Sequence, residues 1–155
     1  MKVSDVMTQK PVSVRRNSKL KHVIRTMVAH NISGCPVTDS KNNVVGLVTR
    51  TDIINILDVH RKVHKTRDML GFVLSALRSQ EFEKLKVPLR NMLEKEVHRF
   101  MTSDPITINA GDDLYEAAKS MSRHKIDKLV VVRNKKLVGI ITKGDLIKSL
   151  DKLEA

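Results

Sequence analysis

Two threonine–aspartate pairs have the residue types and the spacing to bind a small polar ligand. Each pair reads Thr-x-x-Asp, first as Thr49 and Asp52 and again as Thr142 and Asp145. A carboxylate can accept hydrogen bonds from both hydroxyls of a sugar diol. A Thr hydroxyl and free amides at the start of a following helix suit a phosphate. The same residues could instead be helix caps with first-turn acids, so the pairs alone leave both interpretations open.

Other candidate chemistry is sparse. The sequence has no phosphate-binding P-loop, nucleophile elbow or paired general acids, so we expect no enzyme activity. His60 and His64 are one helical turn apart and could bind a metal, but no third ligand is near them in sequence, so no metal is expected. His30 and His124 are expected to be structural residues at helix ends. Cys35 is the single cysteine, which excludes an internal disulfide and favours a reducing, cytoplasmic compartment.

An internal repeat places the two pairs in equivalent positions. Val3–Asn42 aligns with Val97–Lys136, and Val44–Ile54 aligns with Leu137–Ile147. We therefore predict a first repeat over residues 1–55, a helical linker over 56–96, a second repeat over 97–150 and a short tail over 151–155. The aligned glycines, Gly46 and Gly139, are expected to let the backbone approach a ligand closely.

Each copy has the pattern of a β-α-β-β-α unit, which predicts an α/β fold. A short strand (Pro11–Val14 or Pro105–Ile108) follows a Met-Thr turn. The apolar positions of the next segment recur at helical spacing. Two continuous apolar runs joined by a polar turn then predict a hairpin that is covered on both faces. Expected helix caps are Asn17 or Ser18 and Asp112 or Asp113. The last helix of each unit is expected to begin near Thr51 or Gly144.

The segment between the repeats carries two apolar helical stretches, one around Met69–Leu77 and one around Phe82–Leu93. An apolar linker must be covered by something. It either folds over the sheets of the same chain or forms a surface for a partner or a second copy.

The order of these motifs resembles the cystathionine-β-synthase (CBS) repeat. In the first copy the family pattern reads Met7–Val14, Cys35–Val37 and Gly46–Asp52. In the second it reads Met101–Ile108 and Gly139–Asp145. The resemblance implies two repeats related by a pseudo-twofold axis, often assembled as a homodimer. It also implies up to two clefts between the repeats that hold AMP, ADP, ATP, S-adenosylmethionine or a related adenosyl ligand.

The resemblance also assigns roles to residues. The Thr and Asp of the final motif contact ribose and phosphate, the backbone around the apolar-Pro-Val strand contacts the base, and the Met-Thr strand can come from the opposite repeat. The predicted ligand-binding residues are Thr49, Arg50, Asp52, Ile32, Cys35, Pro36, Thr102, Thr107, Thr142, Lys143, Asp145, Ile126, Lys128, Leu129, Thr8, Lys10 and Ser13.

The two clefts are expected to differ in charge. With the Met-Thr strand exchanged, the Asp145 cleft gains Lys10, Lys128 and Lys143, whereas the Asp52 cleft gains Arg50 but receives Asp104. We therefore predict that the Asp145 cleft binds a phosphate-bearing ligand more tightly, although Asp127 opposes this.

The net charge of +12 invites a nucleic-acid partner, but the basic residues are spread along the chain and aromatic residues make up only 3%. Membrane association is not expected, since no run is long enough to span a bilayer. The leading hypothesis is a stand-alone regulatory sensor of an adenosyl ligand that acts on a protein partner. A nucleic-acid adaptor and a structural dimerisation module with empty clefts are the rivals.

Overall fold

The computed structural model describes residues 1–61 and 90–151. The predicted apolar stretch around Met69–Leu77, most of the second stretch, His64 and residues 152–155 of the tail lie outside these ranges. Within them, no helix is long and apolar enough to cross a bilayer.

The two halves of the chain contain the same order of elements. The first half forms α1 (Val3–Val6), β1 (Thr8–Gln9), β2 (Val14–Arg15), α2 (Leu20–Ala29), β3 (Gly34–Thr38), β4 (Val44–Thr49) and α3 (Arg50–Arg61). The second half begins with a 3-10 turn (Val97–Arg99) and continues with β5 (Thr102–Ser103), β6 (Thr107–Asn109), α4 (Leu114–His124), β7 (Lys128–Arg133), β8 (Lys136–Thr142) and α5 (Lys143–Asp151). The predicted α/β class and the repeated unit are confirmed.

The two four-stranded sheets exchange their first strands. One sheet has the order β2-β3-β4-β5 and the other β1-β8-β7-β6, so each Met-Thr strand lies in the sheet of the opposite repeat. Thr102 is paired with Leu47, and Thr8 is paired with Ile140. The segments before these strands are exchanged as well, because Val3 N–H donates to Asp112 O and Val97 N–H donates to Ser18 O.

Apolar periodicity explains the cores. On α2 the residues Leu20, Val23 and Met27 are buried, at the helical spacing that the sequence predicts. All five residues of β3 and the first five of β7 are buried, as expected for continuous runs covered on both faces. A third apolar cluster (Val130, Val132 and Leu137 with Val44 and Leu47) joins the two sheets between the repeats.

Several predicted boundaries are wrong in detail. The Met-Thr segments are strands rather than turns. The next strands begin at Val14 and Thr107, beyond Pro11 and Pro105, whose rings remove the N–H donor that a ladder needs. The last helices begin at Arg50 and Lys143, one residue before the predicted starts.

The cap of α2 is also not the predicted one. Its N-cap is Lys19, which makes no side-chain cap bond, while Ser18 Oγ accepts from Arg15 N–H at 3.2 Å. The Leu20 N–H instead donates to Lys95 O at 2.9 Å, so a carbonyl far along the chain replaces the local cap. At α4 the prediction holds, because Asp113 accepts from Tyr115 N–H at 2.8 Å.

Gly46 and Gly139 lie against the methionines of the exchanged segments. A Cβ at Gly46 would overlap the Met101 sulfur, and a Cβ at Gly139 would overlap that of Met7. Each glycine therefore makes room for the methionine of the exchanged segment. This close approach is made by a side chain of the opposite repeat, and the approach of a ligand to these glycines stays a prediction.

Candidate functional site

The junction between β4 and α3 holds Thr49 and Asp52 in a fixed arrangement. Asp52 Oδ2 accepts from Thr49 N–H at 2.7 Å and from Thr49 Oγ1 at 3.0 Å, while Asp52 N–H donates to Thr49 Oγ1 at 3.4 Å. This reciprocal pattern is a capping box, and it satisfies donors that the first turn of the helix would leave unpaired. The helix-cap interpretation of the sequence is thus correct for Oδ2.

The same arrangement recurs between β8 and α5. Asp145 Oδ2 accepts from the amide and the hydroxyl of Thr142, both at 2.8 Å. Among the described residues, the Oδ1 atoms of Asp52 and Asp145 have no hydrogen-bond partner. One oxygen of each carboxylate therefore holds the helix start, and the other is available to a ligand hydroxyl.

The helix starts offer fewer free amides than the sequence suggested. Arg50 N–H donates to Ser33 O at 3.1 Å, and Lys143 N–H donates to Asp127 O at 2.9 Å. These bonds tie each helix start to the segment before β3 or β7. A phosphate at this position must therefore rely on side chains more than on backbone donors.

A cavity of about 570 Å³ lies at the Asp52 junction. This volume is in the range of small-molecule sites. Both repeats line the cavity, and the exchanged strand β5 brings Thr102 to it. The lining residues are Ser33, Leu47, Thr49, Arg50, Thr51, Asp52, Thr102, Pro105, Ile106, Lys125, Ile126, Asp127, Lys128 and Lys143.

The charge of this cavity differs from the charge that the sequence predicted for the Asp52 cleft. Four cationic side chains (Arg50, Lys125, Lys128 and Lys143) and two carboxylates line it. The order in which the two clefts bind a phosphate-bearing ligand stays a prediction. Lys128 and Lys143, which the sequence predicted for the Asp145 cleft, line the Asp52 cavity.

The reason is the position of these residues near the axis between the repeats. A Cβ at Gly34 would lie 2.7 Å from Lys128 Cδ, so the lysine stem crosses from the second repeat onto the first. Lys143 is held beside Asp127, which lines the same cavity. Asp104, which was expected to add negative charge to this cleft, is exposed and does not line the cavity.

Lys128 is a buried charge, and in the described part of the chain it has one anionic partner. Its side chain is 8% exposed, and Nζ lies 2.6 Å from Asp127 Oδ1, whereas the Asp127 side chain is 69% exposed. The hydrogen bond from Lys128 holds the pKa of Asp127 below its usual value, and the charge of Lys143 acts in the same direction.

The remaining predicted site residues have varied positions. Besides those above, Ile126 lines the cavity. Cys35 and Leu129 are completely buried in the cores of the two sheets, and their contact with a ligand stays a prediction. The structure does not bring the following to the Asp52 cavity: Ile32, Pro36, Thr107, Thr142, Asp145, Thr8, Lys10 and Ser13.

Burial explains the chemistry of Cys35. Loss of solvation raises the pKa of its thiol to about 11. In the described part of the chain, no cluster of three or more His, Cys, Asp or Glu side chains could hold a metal ion.

Seven lining residues were not in the predicted set. Six of them flank predicted positions: Ser33 lies beside Ile32, Thr51 lies beside Asp52, Pro105 and Ile106 precede Thr107, and Lys125 and Asp127 flank Ile126. Ser33 and Asp127 align with each other in the repeat and lie at the turn before β3 and β7. That turn was the missed signal, because its carbonyl oxygens anchor the two helix starts.

Comparison with known proteins identifies the family. The sequence model of the CBS domain matches residues 3–59 and 95–152, and the chain therefore belongs to the CBS domain family. An uncharacterized protein of Methanocaldococcus jannaschii, MJ1426, is 32% identical over 157 residues, covering 97% of this chain and 91% of that protein. Three other proteins of that organism are longer, and this chain spans between 32% and 42% of them.

Solved structures show the same architecture. The structure of CBSX2 in complex with AMP has a TM-score of 0.71 at 22% identity over 99% of this chain and 98% of that one. In Arabidopsis thaliana, CBSX2 is a chloroplastic protein that contains CBS domains. The CBS domain pair of protein MJ0100, in complex with 5'-methylthioadenosine and S-adenosyl-L-methionine, has a TM-score of 0.71 at 20% identity, covering 97% and 99% of the two chains. Both comparisons support the fold.

Proposed function

We propose that this chain is a regulatory, non-catalytic module that binds an adenosine-containing ligand such as AMP, ADP, ATP or S-adenosylmethionine. The observation that supports the proposal is the arrangement of the Asp52 carboxylate. Its Oδ2 is fixed by Thr49, its Oδ1 has no hydrogen-bond partner among the described residues, and Asp52 lines a cavity that both repeats share. An acceptor held in this way can bind the hydroxyls of a ribose without reorganising. The ligands seen with CBSX2 and MJ0100 support the choice of ligand class.

The exchanged strands supply a route from binding to regulation. Thr102 reaches the cavity on β5, which is paired with β4 of the first repeat, and Lys128 reaches it from the second. A ligand that contacts both repeats favours the packing in which those contacts form. We propose that a protein partner reads this change in packing, and that the partner acts in the cytoplasm.

Thermal melts against AMP, ATP, S-adenosylmethionine and NAD test the ligand class. A true site raises the free energy of unfolding by about 2.7 kcal/mol when the ligand is at a hundredfold excess over Kd. No shift with any of these compounds would leave only a structural module. A duplex DNA in the same panel tests the nucleic-acid rival, which predicts binding that falls steeply with salt.

Calorimetry on two matched variants tests the site. Asp52→Ala and Asp145→Ala each remove the same capping box, so their effects on the helices should be similar. Loss of a charge-assisted hydrogen bond to ribose costs roughly 1.5–3 kcal/mol, and we expect this loss of affinity only in Asp52→Ala at the Asp52 cavity. Equal losses in both variants would contradict the assignment.

We also propose that the chain forms a homodimer through α4 and α5. Within the described ranges, Tyr115 is 68% exposed, Ile147 67% and Leu150 61%, and exposed apolar groups of this size are typical of interaction surfaces. Sedimentation of Ile147→Lys, compared with the unmodified chain, tests the surface. The variant should be monomeric where the unmodified chain is a dimer, and an equally dimeric variant would contradict the proposal.

A further inference from the structure

The turns of the two β-hairpins meet at the junction between the repeats. The Val44 N–H donates to Lys135 O at 3.1 Å, and Lys136 Nζ donates to Lys41 O at 2.8 Å. Asn43 and Lys136 also pair as an isolated β-bridge. The two turns therefore form one continuous surface, and its shape depends on how the repeats pack against each other.

This surface, formed by residues 39–43 and 133–136 and called the tip patch below, is strongly basic. It contains four cationic side chains and one carboxylate. All four cations are exposed, and in the described part of the chain none of them forms an ion pair. The cations are Lys41, Arg133, Lys135 and Lys136.

The carboxylate of the tip patch is occupied by its own turn. Asp39 Oδ1 accepts from the Lys41 and Asn43 N–H groups at 2.8 and 2.9 Å, and Oδ2 accepts from the Asn43 side-chain amide at 2.9 Å. The bonds from Asn43 hold the pKa of Asp39 below its usual value. The guanidinium of Arg15 donates to Asp39 O and adds a fifth cation at the edge of the patch. The charge of the patch is thus largely uncompensated.

Lys135 keeps a positive charge at a position that favours glycine. Asn134 and Lys135 are the two central residues of the second turn, between the paired residues Arg133 and Lys136, and their φ angles are 52° and 65°. Two-residue hairpin turns with positive φ at both positions strongly prefer Asn-Gly. A side chain at the second position crowds the backbone and lowers stability. Retention of a lysine there indicates a role other than folding.

We propose that the tip patch binds an acidic segment of a partner protein, whose carboxylates pair with Lys41, Lys135 and Lys136. This inference rests on the proposed function, because it assumes a protein partner, and it adds the chemistry of that partner. Both repeats form the patch, so a partner bound there contacts the surface that changes when the repeats repack. The patch has no aromatic side chain on which a base could stack.

A fluorescent decaglutamate peptide is the probe, and its anisotropy with the full chain gives a Kd. At 0.15 M salt the Debye length is about 8 Å, so attraction by distant charges of the chain is largely screened. Lys135→Glu should weaken binding by at least about tenfold, because it places a like charge against the peptide. Arg25→Glu makes the same change in net charge on the exposed side of α2. This control should change the Kd by about twofold at most.

Lys135→Gly separates the effect of charge from that of stability. It removes the ammonium and relieves the positive φ, so the peptide should bind about two- to fivefold more weakly. The urea midpoint of the same variant should rise by about 0.3–0.5 M. Weaker binding by a more stable chain cannot come from unfolding. A lower midpoint would contradict the argument that the lysine is retained against the preference of the backbone.

The outcomes separate this proposal from the proposed function. If the peptide does not bind, or if Lys135→Glu and Arg25→Glu weaken it equally, the role of the tip patch is overturned, while the melts with adenosyl ligands still decide the proposed function. If a duplex DNA with the same number of anionic groups binds more tightly, and Lys135→Glu abolishes that binding, the patch is a nucleic-acid surface and the proposal is also overturned. If the peptide binds through the patch but no adenosyl ligand shifts the melt, the proposed ligand is overturned and the docking surface stands.

Discussion

Replacing Gly46 by alanine adds a methyl group where the exchanged segment packs most tightly. The new Cβ would overlap Met101 Sδ and would lie 2.9 Å from Cγ and 3.0 Å from Cε. Three consecutive side-chain atoms are affected, so rotation of the terminal methyl alone cannot relieve the overlap. Overpacking of this kind costs about 1–3 kcal/mol, and alanine regains about 0.5–1 kcal/mol over glycine within a strand. We expect a net loss of about 0.5–2 kcal/mol.

Urea unfolding measures this loss as a shift of the midpoint. The slope for a small protein is about 1–3 kcal/mol per molar urea, so a loss of 1 kcal/mol lowers the midpoint by about 0.5 M. Gly111→Ala is the matched control, because its Cβ meets nothing within 4 Å. That variant should be neutral or up to about 1 kcal/mol more stable.

A double-mutant cycle with Met101→Ala identifies the cause. If the methionine is the source of the overlap, the double variant loses less unfolding free energy than the sum of the two single losses, by about 1 kcal/mol or more. Additive losses, or a Gly46→Ala variant as stable as the unmodified chain, would refute the role given to this glycine.

Three further predictions concern single groups. Asp113→Ala should lower the free energy of unfolding by about 1 kcal/mol, because the cap to Tyr115 N–H is lost; an unchanged urea midpoint would contradict this. Lys19 and Lys21 lower the pKa of Glu94 from 4.5 to about 2. The stability that this carboxylate contributes is therefore complete above pH 4.5 and is lost as the pH falls towards 2, so the difference in urea midpoint between the unmodified chain and Glu94→Gln should vanish over that window. A difference independent of pH would argue against the pairing. The buried Cys35 should react with a thiol reagent far more slowly in the native protein than in urea, and equal rates would contradict its burial.

Local patterns made much of the fold predictable. The spacing of Leu20, Val23 and Met27 and the continuous run of β7 are short-range signals, and each occurs in both copies. The partner of a two-residue strand is not a short-range property. The exchange of the strand that holds Thr8 was expected only through the family resemblance, and neither its pairing with Ile140 nor the cap of α2 by Lys95 O was expected.

The site was predictable to the same extent. Thr49 and Asp52 are three residues apart at a strand–helix junction, so their contact follows from the sequence. The assignment of Lys128 to a cleft depends on the direction in which a long side chain crosses the axis. The aligned pair of Gly34 and Lys128 indicates this direction. Gly34 has no side chain, so the stem of Lys128 can occupy the space that a Cβ of Gly34 would take.

The exchange of leading segments has a consequence for assembly. Residues 1–9 complete the sheet of the second repeat, and residues 97–103 complete that of the first. One repeat expressed alone would therefore expose a strand edge, and its own leading segment would have no strand to pair with. Two chains can satisfy the same hydrogen bonds by trading these segments, which gives an intertwined pair. Pairing of a segment within its own chain competes with pairing to a second chain. The length of the connection between the repeats sets the effective concentration of the chain's own segment, and therefore the protein concentration at which intertwined dimers begin to form.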